Sequence, residues 1–240
     1  MKRIFILIML VFILPTEAFA SQKVPILVYH SIEEYSGKGS KELYVTPVNF
    51  EKQMRFLKDH GYTLLTFERW EDLKSVNKPI FITFDDGYKN NLNAFKVLEK
   101  IRDDRFQPVA TFFVISEFIG RPNRLTEKEL KMMSDTNVIS IQSHTRTHPD
   151  LTQIDNLDNE LKVSKEKIEK ITGRPVLALA YPYGNFNDRV VQETKKYYKY
   201  GLTTTPGPYM KKGLKNELYY LPRIYITYST TMEDFMKKLE

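Results

Sequence analysis

The 240-residue chain contains no cysteine. That excludes a disulfide scaffold, a cysteine-ligated zinc site, a thiol nucleophile and a lipid anchor on an N-terminal cysteine. Any metal site must then draw on histidine, aspartate and glutamate, and histidine is itself scarce, at four residues. Ten glycines and 12 prolines are too few for collagen-like or low-complexity material. No internal repeat, linker or biased segment divides residues 21–240, so a single domain is expected there. With 42% hydrophobic residues, that stretch has enough apolar side chains for a full core.

A long apolar run is confined to the start. Lys2 and Arg3 precede Ile4 to Leu14, and Ala18-Phe19-Ala20 puts small residues where a signal peptidase cuts. The run falls short of the roughly 20 residues that span a bilayer. Residues 1–20 are therefore read as a signal peptide cleaved after Ala20, with an uncleaved anchor as the alternative. The mature protein is expected outside the cell, associated with the wall. Cleavage removes Lys2, Arg3 and Glu17 and leaves a net basic chain, one charge below the +6 of the whole. Such a chain is drawn to an anionic cell wall or membrane surface. Nucleic acid is not expected as a partner, because the lysines between Lys162 and Lys170 alternate with glutamates and no basic cluster is interleaved with aromatics. A monomer is expected.

Short β-branched runs alternate with amphipathic segments. Residues 25–29, 79–84, 109–114, 138–142 and 175–180 read as buried strands. Residues 47–60 read as a helix with Thr46 as N-cap, Pro47 in the first turn and Gly61 at the stop. Residues 91–101 carry Leu92, Phe95, Leu98 and Ile101 on a helical period. Thr126 to Glu129 forms a capping box for a helix running to Met133, and 155–171 is a charged amphipathic helix closed by Gly173. This alternation predicts an α/β fold with a parallel sheet and helices outside it. Catalytic groups in such folds gather at the C-terminal strand ends. His30, the pair Asp85-Asp86, His144, and the segment Tyr181 to Gly184 each follow an apolar run, so four strand ends deliver polar groups to one rim.

Asp85-Asp86-Gly87 taken alone is compatible with ordinary turn chemistry. His144 and His148 alter the balance. Four apart, with β-branched Thr145 and Thr147 between them and Pro149 after, they fit a tight loop closing on a metal. Two neutral imidazoles and one carboxylate leave open positions on zinc, as a catalytic site needs.

Thr83-Phe84-Asp85-Asp86-Gly87, His144 to His148 with Leu151 beyond, and Tyr181-Pro182-Tyr183-Gly184 resemble, in order and separation, the polysaccharide deacetylases of carbohydrate esterase family four. The resemblance covers roughly residues 24–226. It implies a single-domain, distorted (β/α) barrel of about seven strands that removes acetyl groups from N-acetylated sugars. It also implies that Asp86, His144 and His148 hold a divalent metal, with Zn2+ the default. Asp85 would be the base that deprotonates a metal-activated water, and the Tyr183 N–H would stabilise the oxyanion.

The chain departs from the usual pattern twice. Ala180 stands where an arginine usually orients the base, and no histidine follows His148 to serve as the acid. Both departures resemble the circularly permuted poly-β-1,6-N-acetylglucosamine deacetylases. In that subgroup the acid lies near the N-terminus, here His30 in Pro25 to Ser31, and Arg223 could replace the lost arginine. Simpler roles remain open: a strand-end histidine for His30, a structural ion pair for Arg223. His60 reads as a C-terminal helix residue favoured by the dipole, and Trp70 as core. Tyr88, Tyr181 and Tyr183 lie near the rim, where sugar rings could stack. The leading reading is a secreted metal-dependent N-deacetylase of cell-wall or extracellular N-acetylglucosamine polysaccharide. The alternatives are a polysaccharide O-acetyl esterase and a non-catalytic carbohydrate-binding wall protein.

Overall fold

The computed structural model describes residues 22–240; the expected leader at 1–20 lies outside them. In chain order the strands are β1 (Ile26–Tyr29), β2 (Ser31–Ile32), β3 (Tyr44–Val45), β4 (Thr63–Leu65), β5 (Pro79–Phe84), β6 (Ala110–Val114), β7 (Ile139–Ser143), β8 (Ala178–Ala180), β9 (Tyr200–Leu202) and β10 (Ile224–Tyr225). Seven of them form one parallel path, β10-β1-β5-β6-β7-β8-β9, with β4 paired to the first half of β5. The path curls until its ends meet. Thr203 donates its N–H to the Leu221 carbonyl, Leu221 to Gly201 and Arg223 to Thr205, at 2.9–3.0 Å. The expected distorted barrel is therefore present. The N-terminal strand sits inside the sheet, flanked by β5 and β10.

The helices α1 (Pro47–Asp59), α2 (Asn91–Ile101), α3 (Glu127–Asp135), α4 (Leu157–Thr172), α5 (Asp188–Tyr197) and α6 (Met232–Leu239) complete the chain. Local chemistry accounts for their ends. Thr46 accepts from Asn49 N at the start of α1, where Pro47 occupies the first turn. The capping box of Thr126 and Glu129 forms in full. Gly173, at φ 70°, closes α4 in the left-handed conformation. His60 ends α1 with its Nδ1 2.8 Å from the Phe56 carbonyl.

Alternation along each strand splits the core in two. Leu27, Ile80, Ile82, Phe112 and Leu179 face the helices, while Ile26, Phe81, Phe113 and Ala180 fill the barrel. Trp70 belongs to this inner plug, 4.9 Å from Tyr200 and 5.5 Å from Phe81, so it is core. The aromatics pack the end of the barrel where the strands begin and leave polar groups to the other rim. The two ends of the described residues come together away from that rim, where the Lys23 ammonium contacts the Glu240 carbonyl.

Candidate active site

Phe81, Thr83 and Asp85 share the inward face of β5, so alternation carries Asp85 into the barrel at its rim. Its N–H bonds to the Tyr29 carbonyl at 3.0 Å. The fully buried Arg223 grips the carboxylate with both arms, Nη1 to Oδ1 and Nη2 to Oδ2, each at 2.7 Å. The guanidinium is itself oriented, since Nε donates to the Thr203 carbonyl at 2.9 Å and the Phe113 ring lies 5.9 Å away. Burial alone would raise the Asp85 carboxyl. The Arg223 charge and hydrogen bonds, helped by His144 and His30, override it and hold Asp85 well below the usual carboxylate range.

Asp86 turns the chain in the left-handed region at φ 70°, and Gly87 follows at φ 63°. A Cβ on Gly87 would sit 3.0 Å from Val114 Cγ1. This turn sends the Asp86 carboxylate towards the two histidines, with Oδ1 3.7 Å from Nε2 of His144 and of His148. The two Nε2 atoms face each other at 3.1 Å. His144 Nδ1 lies 2.8 Å from the Ala180 carbonyl, which makes Nδ1 the protonated nitrogen and frees Nε2 as a ligand. Burial, reinforced by His144, lowers His148 to about 4. One carboxylate oxygen and two imidazole nitrogens within 4.8 Å of one another match the donor set of a divalent transition metal.

The backbone is bent against its preference throughout this rim. Asp86, Thr145, His148 and Tyr183 all have φ between 60° and 70°. A β-branched residue there, as at Thr145, is a genuine outlier. What holds the loop is a set of contacts from α4. Glu160, buried on that helix, accepts from Arg146 N, Thr147 N and Thr147 Oγ1 at 3.0, 2.8 and 2.7 Å. Ser164 Oγ donates to the Thr145 carbonyl at 3.0 Å. The histidine loop is tied in turn to the Pro-Tyr-Gly turn, where Asn185 Nδ2 donates to Asp150 Oδ2 at 2.8 Å. Sequence reading missed Glu160. The available signal was a carboxylate in phase with Leu157, Leu161 and Ile168 on the apolar stripe of an amphipathic helix.

Tyr183 is exposed, its ring edge-on to His148 at 4.7 Å. Its N–H meets no backbone carbonyl among the described residues. Gly184 is required here: at φ 74°, an added Cβ would lie 2.0 Å from Thr204 Oγ1. Tyr181 does not fit the expectation of a rim aromatic. It is fully buried, its hydroxyl donating to the Tyr219 carbonyl at 3.2 Å, because packing on the helix side of the sheet beside Gly201 leaves it no face for a sugar. Tyr88 and Tyr183 remain near the rim.

His30 follows β1 and stacks on Tyr225 at 5.9 Å. No hydrogen bond to a described residue ties its ring. Tyr29 pairs with Phe84, so His30 and Asp85 emerge side by side from neighbouring strands; burial lowers the basicity of the imidazole, and the Asp85 and Asp86 carboxylates oppose that effect. Asp85, Asp86, His144, His148, Tyr183, Arg223 and His30 are thus gathered on one rim from five separate segments.

The profile of the polysaccharide deacetylase family matches residues 73–202, more than half the chain. His30 and Arg223 lie outside that span, just after β1 and just before β10. Among curated relatives, YxkH of Bacillus subtilis, named as a polysaccharide deacetylase, is 34% identical over 194 residues, covering 77% of this chain and 66% of its own. This chain thus spans just under two thirds of that relative. A poly-β-1,6-N-acetyl-D-glucosamine N-deacetylase of Staphylococcus aureus is 28% identical over 213 residues, 80% of this chain and 71% of that one. Among solved structures, the polysaccharide deacetylase BC0361 of Bacillus cereus superposes with a TM-score of 0.90 at 54% identity, covering 92% of this chain and 70% of the other. The deacetylase PplD of Streptococcus pyogenes, solved with acetate, gives 0.82 at 32% identity, covering 92% and 99%. With the profile spanning the Asp-Asp-Gly, histidine and Pro-Tyr-Gly motifs that the barrel brings together, the chain belongs to the polysaccharide deacetylases.

Proposed function

We propose that this protein is a secreted, metal-dependent hydrolase that removes N-acetyl groups from N-acetylglucosamine-containing wall or extracellular polysaccharide. The observation that carries the reading is the division of labour between adjacent carboxylates. Asp85 is claimed by Arg223, and Asp86 is left to face the two histidines. Asp86, His144 and His148 would hold the cation, with Zn2+ favoured by the donor set. A divalent cation there supplies a Lewis acid that acidifies water and draws charge from the acetamide carbonyl.

The chain's own groups supply the remainder. Asp85 Oδ2, 3.9 Å from His144 Nε2, accepts the proton of the attacking water. Arg223 keeps that carboxylate ionised and aimed. As water oxygen bonds to the acetamide carbon, negative charge gathers on the carbonyl oxygen, and the Tyr183 N–H donates to it. Cleavage of the C–N bond leaves a nitrogen that needs a proton, which His30 is placed to give. The products are acetate and a free amine, which becomes cationic and alters the charge of the polymer.

Acetate release by residues 21–240, with and without zinc, tests the reading on N-acetylglucosamine oligomers of both linkages, peptidoglycan and an acetyl ester. Zinc-dependent release from the N-acetylated substrates, abolished in Asp85→Asn, is the expected result. Tight zinc uptake and sugar binding with no release from any substrate would instead identify a non-catalytic binder.

A further inference from the structure

A groove of about 620 Å³ opens beside the site, lined by Ser31, next to His30, and by Tyr88, two residues beyond Asp86. Its wall is the 118–125 loop, stitched to the catalytic turn by backbone bonds. Leu125 N donates to the Gly87 carbonyl at 3.0 Å and Lys89 N to the Asn123 carbonyl at 2.9 Å. The loop carries two arginines held by aromatic faces. Arg124 lies 4.0 Å over the Tyr88 ring, and Arg121 4.3 Å over Phe118. Neither forms an ion pair with a carboxylate among the described residues, nor does Lys38 on the same groove. Lys89 differs, being neutralised by Glu129 at 2.5 Å. A single carboxylate, Glu33, lines the groove, and it accepts from Asn90 Nδ2 at 3.2 Å.

We infer that this groove receives an anionic substituent, a carboxylate or a phosphodiester, carried by the polysaccharide whose acetamide enters the metal site. The inference rests on the deacetylase reading above and narrows its substrate class. A neutral or amine-bearing polymer has no use for three unmatched cations, and stacking pre-orients the two guanidiniums without spending their donors. The loop's bonds to Gly87 and Lys89 fix the distance between this charge and the reacting carbon, so the groove selects which sugar along the chain is deacetylated. Anchoring through remote groups is the usual means of orienting a polymer for attack.

The test compares zinc-loaded wild type with Arg121→Gln/Arg124→Gln on three N-acetylated oligosaccharides of equal length: neutral, carboxylate-bearing and phosphodiester-bearing. We expect kcat/KM at least about tenfold higher on one or both anionic substrates, a KM for these that climbs with salt, and loss of the preference in the double variant. The preferred anion identifies the source. Titration of the same oligosaccharides into zinc-loaded Asp85→Asn gives the parallel binding readout, and thermal unfolding verifies that the double variant is folded. Equal, salt-independent turnover of all three by both proteins would overturn the inference while leaving the deacetylase reading intact. Binding of a single-stranded oligonucleotide as tight as that of the anionic sugars would also overturn it, as unspecific charge attraction. No turnover of any substrate, with no anion-dependent binding, would remove both.

Discussion

Arg223 and Asp85 are 138 positions apart in the chain yet form a two-armed pair, each arm 2.7 Å long, with both side chains buried. The pair closes the barrel at the level of the reaction. It links the strand that carries the base to the last strand of the sheet, beside the seam where the sheet's edges meet. Removing one partner of such a pair costs far more than its net contribution, because the other charge remains buried and alone.

Arg223→Met should therefore destabilise the metal-free protein by about 3–5 kcal/mol near pH 7. In the native protein the Asp85 carboxyl is depressed below its unfolded value of about 3.9. Its contribution is complete above that value and is lost progressively as pH falls from there through the lower native value. In the variant the burial that raises this carboxyl has lost its main opponent, so its deficit is largest at neutral pH and shrinks on acidification. Urea unfolding of both proteins in chelator, between pH 7 and pH 3, should show the two curves converging.

Glu160→Gln keeps the volume of the side chain but weakens its grip on Arg146 and Thr147. Partners behind a metal's direct ligands are worth about 10–100-fold in affinity. Zinc affinity by competition with a chromophoric chelator should fall by that factor. A smaller drop than the one caused by His148→Ala would separate support from ligation.

Zinc should stabilise the wild-type fold by mass action, by about 4 kcal/mol when free metal exceeds its dissociation constant a thousandfold. His148→Ala should lose most of that gain in calorimetry while its metal-free unfolding midpoint stays near that of the wild type.

Gly184→Ala forces a Cβ against Thr204, including its backbone nitrogen at 2.7 Å, at a φ of 74°. The turn must shift, and with it the Tyr183 N–H. A displaced oxyanion donor costs about 10²–10³ in kcat. The expected signature is a kcat loss of that order with zinc affinity unchanged, and no recovery in Gly184→Ala/Thr204→Ser, because the backbone nitrogen stays in the way.

His30→Gln should lower turnover of N-acetyl substrates by about 10²–10⁴. An acetyl ester, whose leaving group needs less protonation, should lose much less. Equal losses on both would rule out the acid role for His30.

The long helices were readable because each carries its own signals. The Thr126 box and the left-handed Gly173 hold whatever surrounds them. The parallel sheet with outer helices was readable from alternation of strand and helix, its closure into a barrel only from the family resemblance, and the metal cluster from two short motifs. What escaped reading depends on partners distant in the chain. β4, β9 and β10 are two or three residues long, too short to show a period, and they exist because a neighbouring strand offers its edge. The role of Tyr181 turned on Gly201, whose missing side chain admits the buried ring. Glu160 is charged and lies on a helix far from the motifs, so its hold on the histidine loop emerges only once α4 packs across β7. Arg223 could be placed beside Asp85 by resemblance alone, since nothing local in Leu221-Pro222-Arg223 points to a carboxylate.

The contact between Lys23 and Glu240 brings the two ends of the described residues to one side of the barrel. Both ends of the described chain leave from the barrel floor, and the exposed Tyr183 and the half-buried Asp86 and His148 mark the opposite, open rim. A stalk, a partner domain or a surface attachment joined at either end would hold the domain from behind, with its working face turned outward to an incoming glycan strand.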